Sequence, residues 1–331
     1  MLSEGALNSR LIIAFIAVAS IIYRYIVNRR LRLSEEHFAK VNGCLPMETV
    51  LPTKWPFALD ILKKQWDALP SQRILAFQSQ YFDSIGPNMK LGLFGQDGYL
   101  TADPTNVESI LSTRFDDWCI GSRREGLYPL LGEGIFNQDG SPWKHSREIL
   151  RRQFARIQYQ NLKVFDGHIN ELISALCSAG NEIVDLQPHF FRFTLATTTD
   201  LIFGEPVRTL GEDVQESFTT NFDYASYVSA IRIRLADFHW LYKTRKFKNA
   251  CAVVKQYAAH FVSQALKDKK DNGDEAMKGR HAFILDLYEG LKDPDLVRDQ
   301  LVHVLIAGRD TTACLMSWTL LAPHPSDMTC R

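Results

Sequence analysis

The chain has 331 residues, with 38 lysines and arginines against 38 aspartates and glutamates and 46% hydrophobic residues. That suffices for one large or two ordinary domains with a substantial core, and the charge balance speaks against nucleic acid or a strongly charged partner. The six cysteines (Cys44, Cys119, Cys177, Cys251, Cys314, Cys330) have no CxxC or paired spacing, which argues against a disulfide framework or zinc site and fits a reducing compartment.

From Leu11 to Tyr23 the chain is apolar without interruption, and Tyr25-Ile26-Val27 continue the run past Arg24. Residues 11–27 are at the short end for a membrane-spanning helix. Arg24, Arg29, Arg30 and Arg32 follow like a stop-transfer cluster while only Arg10 precedes the run, which places the main body in the cytosol. The reading is an uncleaved single-pass anchor over 1–28; a signal peptide ending near Ala17-Val18-Ala19 is the rival. Residues 29–65, with Pro46, Pro52 and Pro56, read as a linker that lies against a bilayer or packs as an ordinary connection. Helical spacing resumes from Trp66 to Ile85.

Met89–Phe94 and Tyr99–Ala102 flank Gly95-Gln96-Asp97-Gly98, a β-hairpin pattern. Asp103-Pro104 then opens a short helix to Thr113. Segment 115–140 shows little periodicity, as functional or disordered loops do, and Phe115, Trp118, Tyr128 and Phe136 make it an ordered pocket wall. Ser141-Pro142 open a helix that carries Trp143-Lys144-His145-Ser146-Arg147 and runs to Phe154. Helical patterns follow over 157–179, 188–203, 212–230 and 247–268, with a strand-like Ile-Val-Asp-Leu at 183–186. A charged surface loop covers 267–280 and a short helix 282–289. The expected fold is mainly α with a small β element near the N-terminal end.

The last element is a long helix. Asp293 can cap it, Pro294 suits its first position, and the next proline is Pro323. Its upstream half presents one apolar side through Leu296, Val297, Leu301, Val304 and Leu305, which points to burial. Its centre breaks that pattern: Gly308 costs about 1 kcal/mol against Ala, and Thr311-Thr312 are β-branched. The Thr311 hydroxyl can bond back to the Ala307 carbonyl and loosen the turn. Poor helix formers inside a buried helix mark a place where something approaches the backbone.

Ala307-Gly308-x-Asp310-Thr311-Thr312 in this helix, with Trp143-x-x-x-Arg147 on an earlier one, resembles the cytochrome P-450 family of haem-thiolate monooxygenases. The resemblance covers roughly residues 80–320, so that 66–331 reads as a partial domain of that fold. It is nearest to the fungal alkane and fatty-acid hydroxylase branch, through Leu130–Phe136, Trp143–Arg147, His239–Tyr242 and Arg298-Asp299-Gln300. It implies a haem cofactor, molecular oxygen, a membrane reductase as electron donor and a hydrophobic substrate such as an n-alkane or fatty acid. It also implies a place in the endoplasmic reticulum membrane.

Under that resemblance Trp143 and Arg147, on one helix face, hold a haem propionate through an indole donor and a guanidinium fork. The small Ala307 and Gly308 let a flat cofactor and its oxygen come close, and Asp310 with Thr311 forms a proton-relaying acid–alcohol pair. The plainer readings are a core Trp143 with a solvated Arg147, an Asp310 paired with Arg309, and a back-bonded Thr311. His145 reads as a surface or supporting residue, and no metal ligand is assigned.

In the family the iron is held by a cysteine in a Phe-x-x-Gly-x-Arg-x-Cys-x-Gly loop, whose thiolate favours O–O cleavage. No cysteine here has that context: Cys119 lacks the upstream Gly and Arg, and Cys330 lies in an irregular tail. The Glu-x-x-Arg helix is absent too. The expectation is the N-terminal part of a membrane-bound monooxygenase, inactive as it stands, with Leu315, Met316, Trp318 and Leu320 of the long helix left exposed. The alternative is a non-catalytic membrane-anchored fragment that binds lipophilic ligands or partners. A generic helical scaffold would not need Gly308 and Asp310-Thr311 in a buried helix.

Overall fold

A computed structural model describes the chain apart from residues 1–2, 45–46, 48, 72, 94–95, 158–164, 179, 181–182, 206–211, 274–279 and 322–331. Among the described residues the fold is mainly helical, with one two-stranded sheet, as the sequence led us to expect. It divides into two compact units, Met1–Asp117 and Trp118–Arg331.

The first unit begins with α1 (Ser3–Val41), which carries the apolar run straight into Arg24, Arg29, Arg30 and Arg32. Here the expected single-pass span is not found. Among the described residues no helix is long and apolar enough to cross a membrane, and much of 11–23 lies outside the residues whose side chains are described. The helical spacing expected over 66–85 is met by two helices, α2 (Leu59–Ala68) and α3 (Ile74–Ile85), separated around Pro70, which cannot donate into a helix. Strands β1 (Asn88–Leu93) and β2 (Gln96–Thr101) pair antiparallel with Leu93 opposite Gln96. The connection is therefore shorter than the expected four residues, and Gln96-Asp97-Gly98 belong to the strand. Phe94 and Gly95, the rest of that expectation, lie outside the described residues. Part of the linker is tied to this sheet: Leu51 N–H donates to the Lys90 carbonyl (2.8 Å) and Lys90 N–H to that of Thr49 (2.9 Å). Met89, fully buried, packs with Leu51, Ala58 and Ile61 into a small core. The short α4 (Pro104–Glu108) follows, capped by Asp103, whose carboxylate accepts from Thr105 and Asn106 N–H.

The second unit is all helix: α5 (Arg123–Leu131), α6 (Gly140–Ile157), α7 (Asp166–Cys177), α8 (Leu186–Phe203), α9 (Glu212–Arg234), α10 (Arg245–Asn272), α11 (Ala282–Leu291) and α12 (Pro294–Leu321). Three expectations change. Segment 115–140 is not one loop, because α5 forms inside it despite Gly126 and Pro129. The strand-like 183–186 is not a strand; Asp185 instead caps α8 by accepting from Gln187 N–H (3.0 Å), and Ile183 is fully exposed. The charged stretch after Lys267 continues α10 to Asn272, and 274–279 lies outside the described residues. Phe203 of α8 stacks on Phe261 of α10 (4.6 Å between ring centroids), with Tyr257 edge-on to both. Each such buried ring contributes about 1.5–3 kcal/mol, and α12 joins the same core through Val297, Leu301, Val302 and Leu305.

Candidate functional site on α12

Asp293 caps α12 as its sequence requires, its carboxylate accepting from Asp295 N–H (2.9 Å) and Leu296 N–H (3.3 Å). Val297, Leu301, Val302 and Leu305 are buried in the main core. Past Ile306 the helix changes character: Asp310, Thr311, Cys314, Leu315 and Trp318 form an exposed face. Thr311 Oγ1 donates to the Ala307 carbonyl at 2.6 Å, the back-bond that the sequence suggested. The hydroxyl oxygen still has lone pairs with which to accept from a ligand.

Asp310 is half exposed on the same face. Partial burial raises its carboxyl above the usual range, the Asp223 carboxylate adds to the shift, and Arg309 opposes it. Arg309 itself points the other way. Its guanidinium is buried between Phe191 and Phe222 and pairs with Asp223 at 2.5 Å, while Asp310 lies 3.6 Å from the same nitrogen. The local Arg309–Asp310 pair therefore exists but is the weaker of the two.

Gly308 has a packing explanation. A Cβ there would stand 2.6 Å from Thr198 Oγ1 and 2.9 Å from its Cγ2, so the close approach that the glycine permits in this structure is that of α8. Ala307, one position back and half-buried, is the small residue adjoining the open face.

On α6, the Arg147 guanidinium lies 5.3 Å from the centroid of the Trp143 ring, a stacked pair on one face. Trp143 is half-buried and Arg147 exposed. His145 faces the Gly290 carbonyl at 3.3 Å and is exposed, consistent with a supporting place. The aromatics of 115–136 take different surroundings: Tyr128 lies under Lys255 and Phe136 stacks on His303 (5.5 Å), while Trp118 is exposed.

Two sets of residues were not singled out one by one. Asp299, Gln300 and His303 face the loop between α5 and α6: they accept from the N–H groups of Glu133 (2.9 Å), Ile135 (3.2 Å) and Phe136 (3.0 Å). Gly132 and Gly134 are required there, since a Cβ would fall 1.9 Å from the Asp299 carboxylate and 2.6 Å from the His303 ring. Burial raises Asp299, against Lys255 and Arg298, and pushes His303 down to about 3 with the Leu131 backbone opposing. His303 is thus neutral, as its accepting Nδ1 demands. Leu130–Phe136 and Arg298–Gln300 carried this signal in the sequence only as two separate stretches.

The second is Arg232, buried on α9. It donates to the carbonyls of Glu125 (3.1 Å), Gly126 (2.9 Å), His239 (3.0 Å) and Tyr242 (3.1 Å). Pro129 has no N–H for the Glu125 carbonyl, so Arg232 supplies the missing donor and lets α5 pass through its proline. Burial lowers the Arg232 pKa. Nothing in the sequence distinguishes this arginine, because its partners are backbone atoms.

The helical frame thus presents a small residue, a hydroxyl and an acid on one open helix face, and a stacked Arg–Trp pair on another helix. The cytochrome P-450 family model matches residues 51–326, and the chain belongs to that family. A cytochrome P-450 of Arthroderma benhamiae is 36% identical over 95% of this chain and 61% of its own length. A cytochrome P-450 monooxygenase of a Fusarium species is 33% identical over 90% of this chain and 55% of its own. Cytochrome P-450 52A5 of Candida maltosa is 36% identical over 72% and 48%. The chain thus spans roughly half to three-fifths of the length of these relatives.

The family implies haem. The open α12 face and the Arg147–Trp143 pair fit the oxygen-facing side and the carboxylates of such a group. None of the described cysteines fits the axial thiolate: Cys251 is buried with its thiol pushed up to about 12 by burial, and Cys44, Cys119, Cys177 and Cys314 are exposed without the ligand loop around them. Among the described residues no cluster of three or more His, Cys, Asp or Glu could hold a metal ion.

Proposed function

We propose that this chain carries the oxygen-facing wall of a haem-dependent monooxygenase that hydroxylates a hydrophobic substrate such as an n-alkane or a fatty acid. The observation that carries it is the α12 face, where Thr311 is back-bonded to Ala307 beside the raised carboxyl of Asp310. When bound, haem would supply the activation of molecular oxygen. This chain's own groups do the rest. Arg147 donates from its guanidinium and Trp143 from its indole N–H to carboxylates. Asp310, whose carboxyl burial raises above the usual range, is the acid that would relay a proton to the Thr311 hydroxyl beside it, while Ala307 leaves room for a flat group. Electrons would come from a reductase, and the apolar run of α1 supports residence at the endoplasmic reticulum membrane with the body in the cytosol. The same residues resemble the fungal alkane-oxidising branch, and cytochrome P-450 52A5 of Candida maltosa is among the relatives.

The cysteine inventory favours a second reading for these residues by themselves: a non-catalytic, membrane-associated unit that binds lipophilic ligands on the α12 face. One titration separates the two. Haemin is added to the chain and the Soret band is followed, before and after reduction under carbon monoxide. Uptake that weakens about tenfold in Arg147→Ala, without a thiolate-type band, is expected. A wild-type chain that takes up no haemin removes the haem reading, and a normal thiolate-type band overturns the assignment of the cysteines.

A further inference from the structure

Two stretches singled out in the sequence, Leu130–Phe136 and Arg298–Gln300, lie away from the open face of α12, yet they meet in a buried seam between α12, the 132–139 loop and α6. Gln300 stands at its centre, fully buried. Its Oε1 accepts from Ile135 N–H (3.2 Å) and its Nε2 donates to Ser146 Oγ (2.7 Å), which donates onward to Gln138 Oε1 (2.6 Å). The direction of this relay is fixed. A backbone N–H can only donate, so the amide oxygen must face the loop and the amide nitrogen must face Ser146. Gln300, Ser146 and Gln138 are all buried, so a broken link among them would leave a polar atom without water.

Asp299 and His303 hold the loop at Glu133 and Phe136, but these bonds end on the loop. Gln300 also reaches α6, at the residue that directly precedes Arg147 and lies one turn after Trp143. On the same turn of α6, His145 faces the Gly290 carbonyl of α11, and that contact is exposed. We propose that Gln300 is the positioning residue for the Trp143–Arg147 pair: its amide fixes the early turns of α6 to α12 and so sets where the guanidinium stands relative to the Ala307–Thr311 face. What the pair binds rests on the haem reading; the positioning itself does not.

The test uses the full chain with Gln300→Met, which keeps the volume and removes both bonds, Ser146→Ala, and the double variant. Hydrogen exchange over residues 141–150 should rise about tenfold in each single variant relative to α8 and α10, and by well under the product of the two in the double, because the variants share the Gln300–Ser146 bond. In haemin titration Gln300→Met should weaken uptake, and Gln300→Met with Arg147→Ala should bind no more weakly than Arg147→Ala alone. A residue that merely stabilises the fold would add its effect to that of Arg147. Unchanged exchange over 141–150, or additive losses, overturns the proposal. Should Gln300→Met not fold, Ser146→Ala with Arg147→Ala carries the same comparison. A wild type that takes up no haemin removes the haem reading, and the exchange result then decides the positioning.

Discussion

The two halves of α12 share a backbone and a similar mix of polar and apolar side chains, and they use them in opposite ways. From Val297 to Leu305 the apolar residues are buried, and the polar ones, Asp299, Gln300 and His303, are also buried and spend their acceptors on loop N–H groups. From Ala307 to Leu320 only Arg309 reaches another helix among the polar side chains with described bonds, while the hydroxyls bond within their own helix (Thr311 to Ala307, Ser317 to Ala313, Thr319 to Leu315) and Leu315 and Trp318 stand 66% exposed. One half is built to hold other elements still. The other, Arg309 apart, turns its bonds inward and offers a surface on which small, acidic and apolar groups stand exposed.

Breaking the upstream half should have the largest effect. Gly132 combines φ +65° with a Cβ position 1.9 Å from Asp299, so Gly132→Ala must displace the carboxylate that holds Glu133. A loss of about 3 kcal/mol or more is expected, read as a fall in the denaturant midpoint. A loss under about 1 kcal/mol would show that the loop is not clamped as described.

An intermediate effect should follow acidification. His303 is neutral in the folded chain with its pKa lowered to about 3 from 6.5. A depressed histidine contributes stability above the unfolded pKa that is lost as pH falls toward the folded one, so between pH 7 and pH 5 about 2 kcal/mol should disappear. Asp299 and Asp310, whose pKa values are raised, act in the opposite sense, favouring the folded chain as pH falls through their folded values. His303→Gln keeps an acceptor for Phe136 N–H and cannot titrate, so its stability should be flatter over this window. An equal slope in the two proteins would assign the acid sensitivity elsewhere.

The downstream half should yield least. Leu315→Ser with Trp318→Ser should change the unfolding free energy by less than about 0.5 kcal/mol each, yet reduce self-association measured by light scattering. A cooperative loss of stability would mean that these side chains are packed.

How much of this was legible beforehand depended on where each signal resides. The Asp293 cap, the Thr311 back-bond and the shared face of Trp143 and Arg147 depend on residues within four positions of one another, and sequence spacing finds them. The functional assignment of the α12 face came from resemblance rather than from spacing. The α5 helix was hidden because Gly126 and Pro129 are local breakers and the compensation, Arg232, lies more than a hundred residues away. Gly308 was read as room for a ligand, whereas the atom that fills that room belongs to Thr198, a partner no local pattern names. A longer separation, 165 to 167 positions, lies between Leu130–Phe136 and the side chains that receive it.

The arginine under α5 has a consequence for the order in which the chain assembles. Arg232 can shed its water only when carbonyls from 125–126, 239 and 242 are all in place, since any one missing leaves a charge buried short of partners. Closure over it is therefore expected late, after α9 and the turn that follows it, with most of the contact unmade at the folding barrier. Removing the guanidinium, as in Arg232→Met, should accelerate unfolding far more than it slows folding, a signature carried by the unfolding arm of the chevron. On that outcome Pro129 makes the lifetime of the native state, more than the speed of reaching it, depend on a residue 103 positions further along the chain.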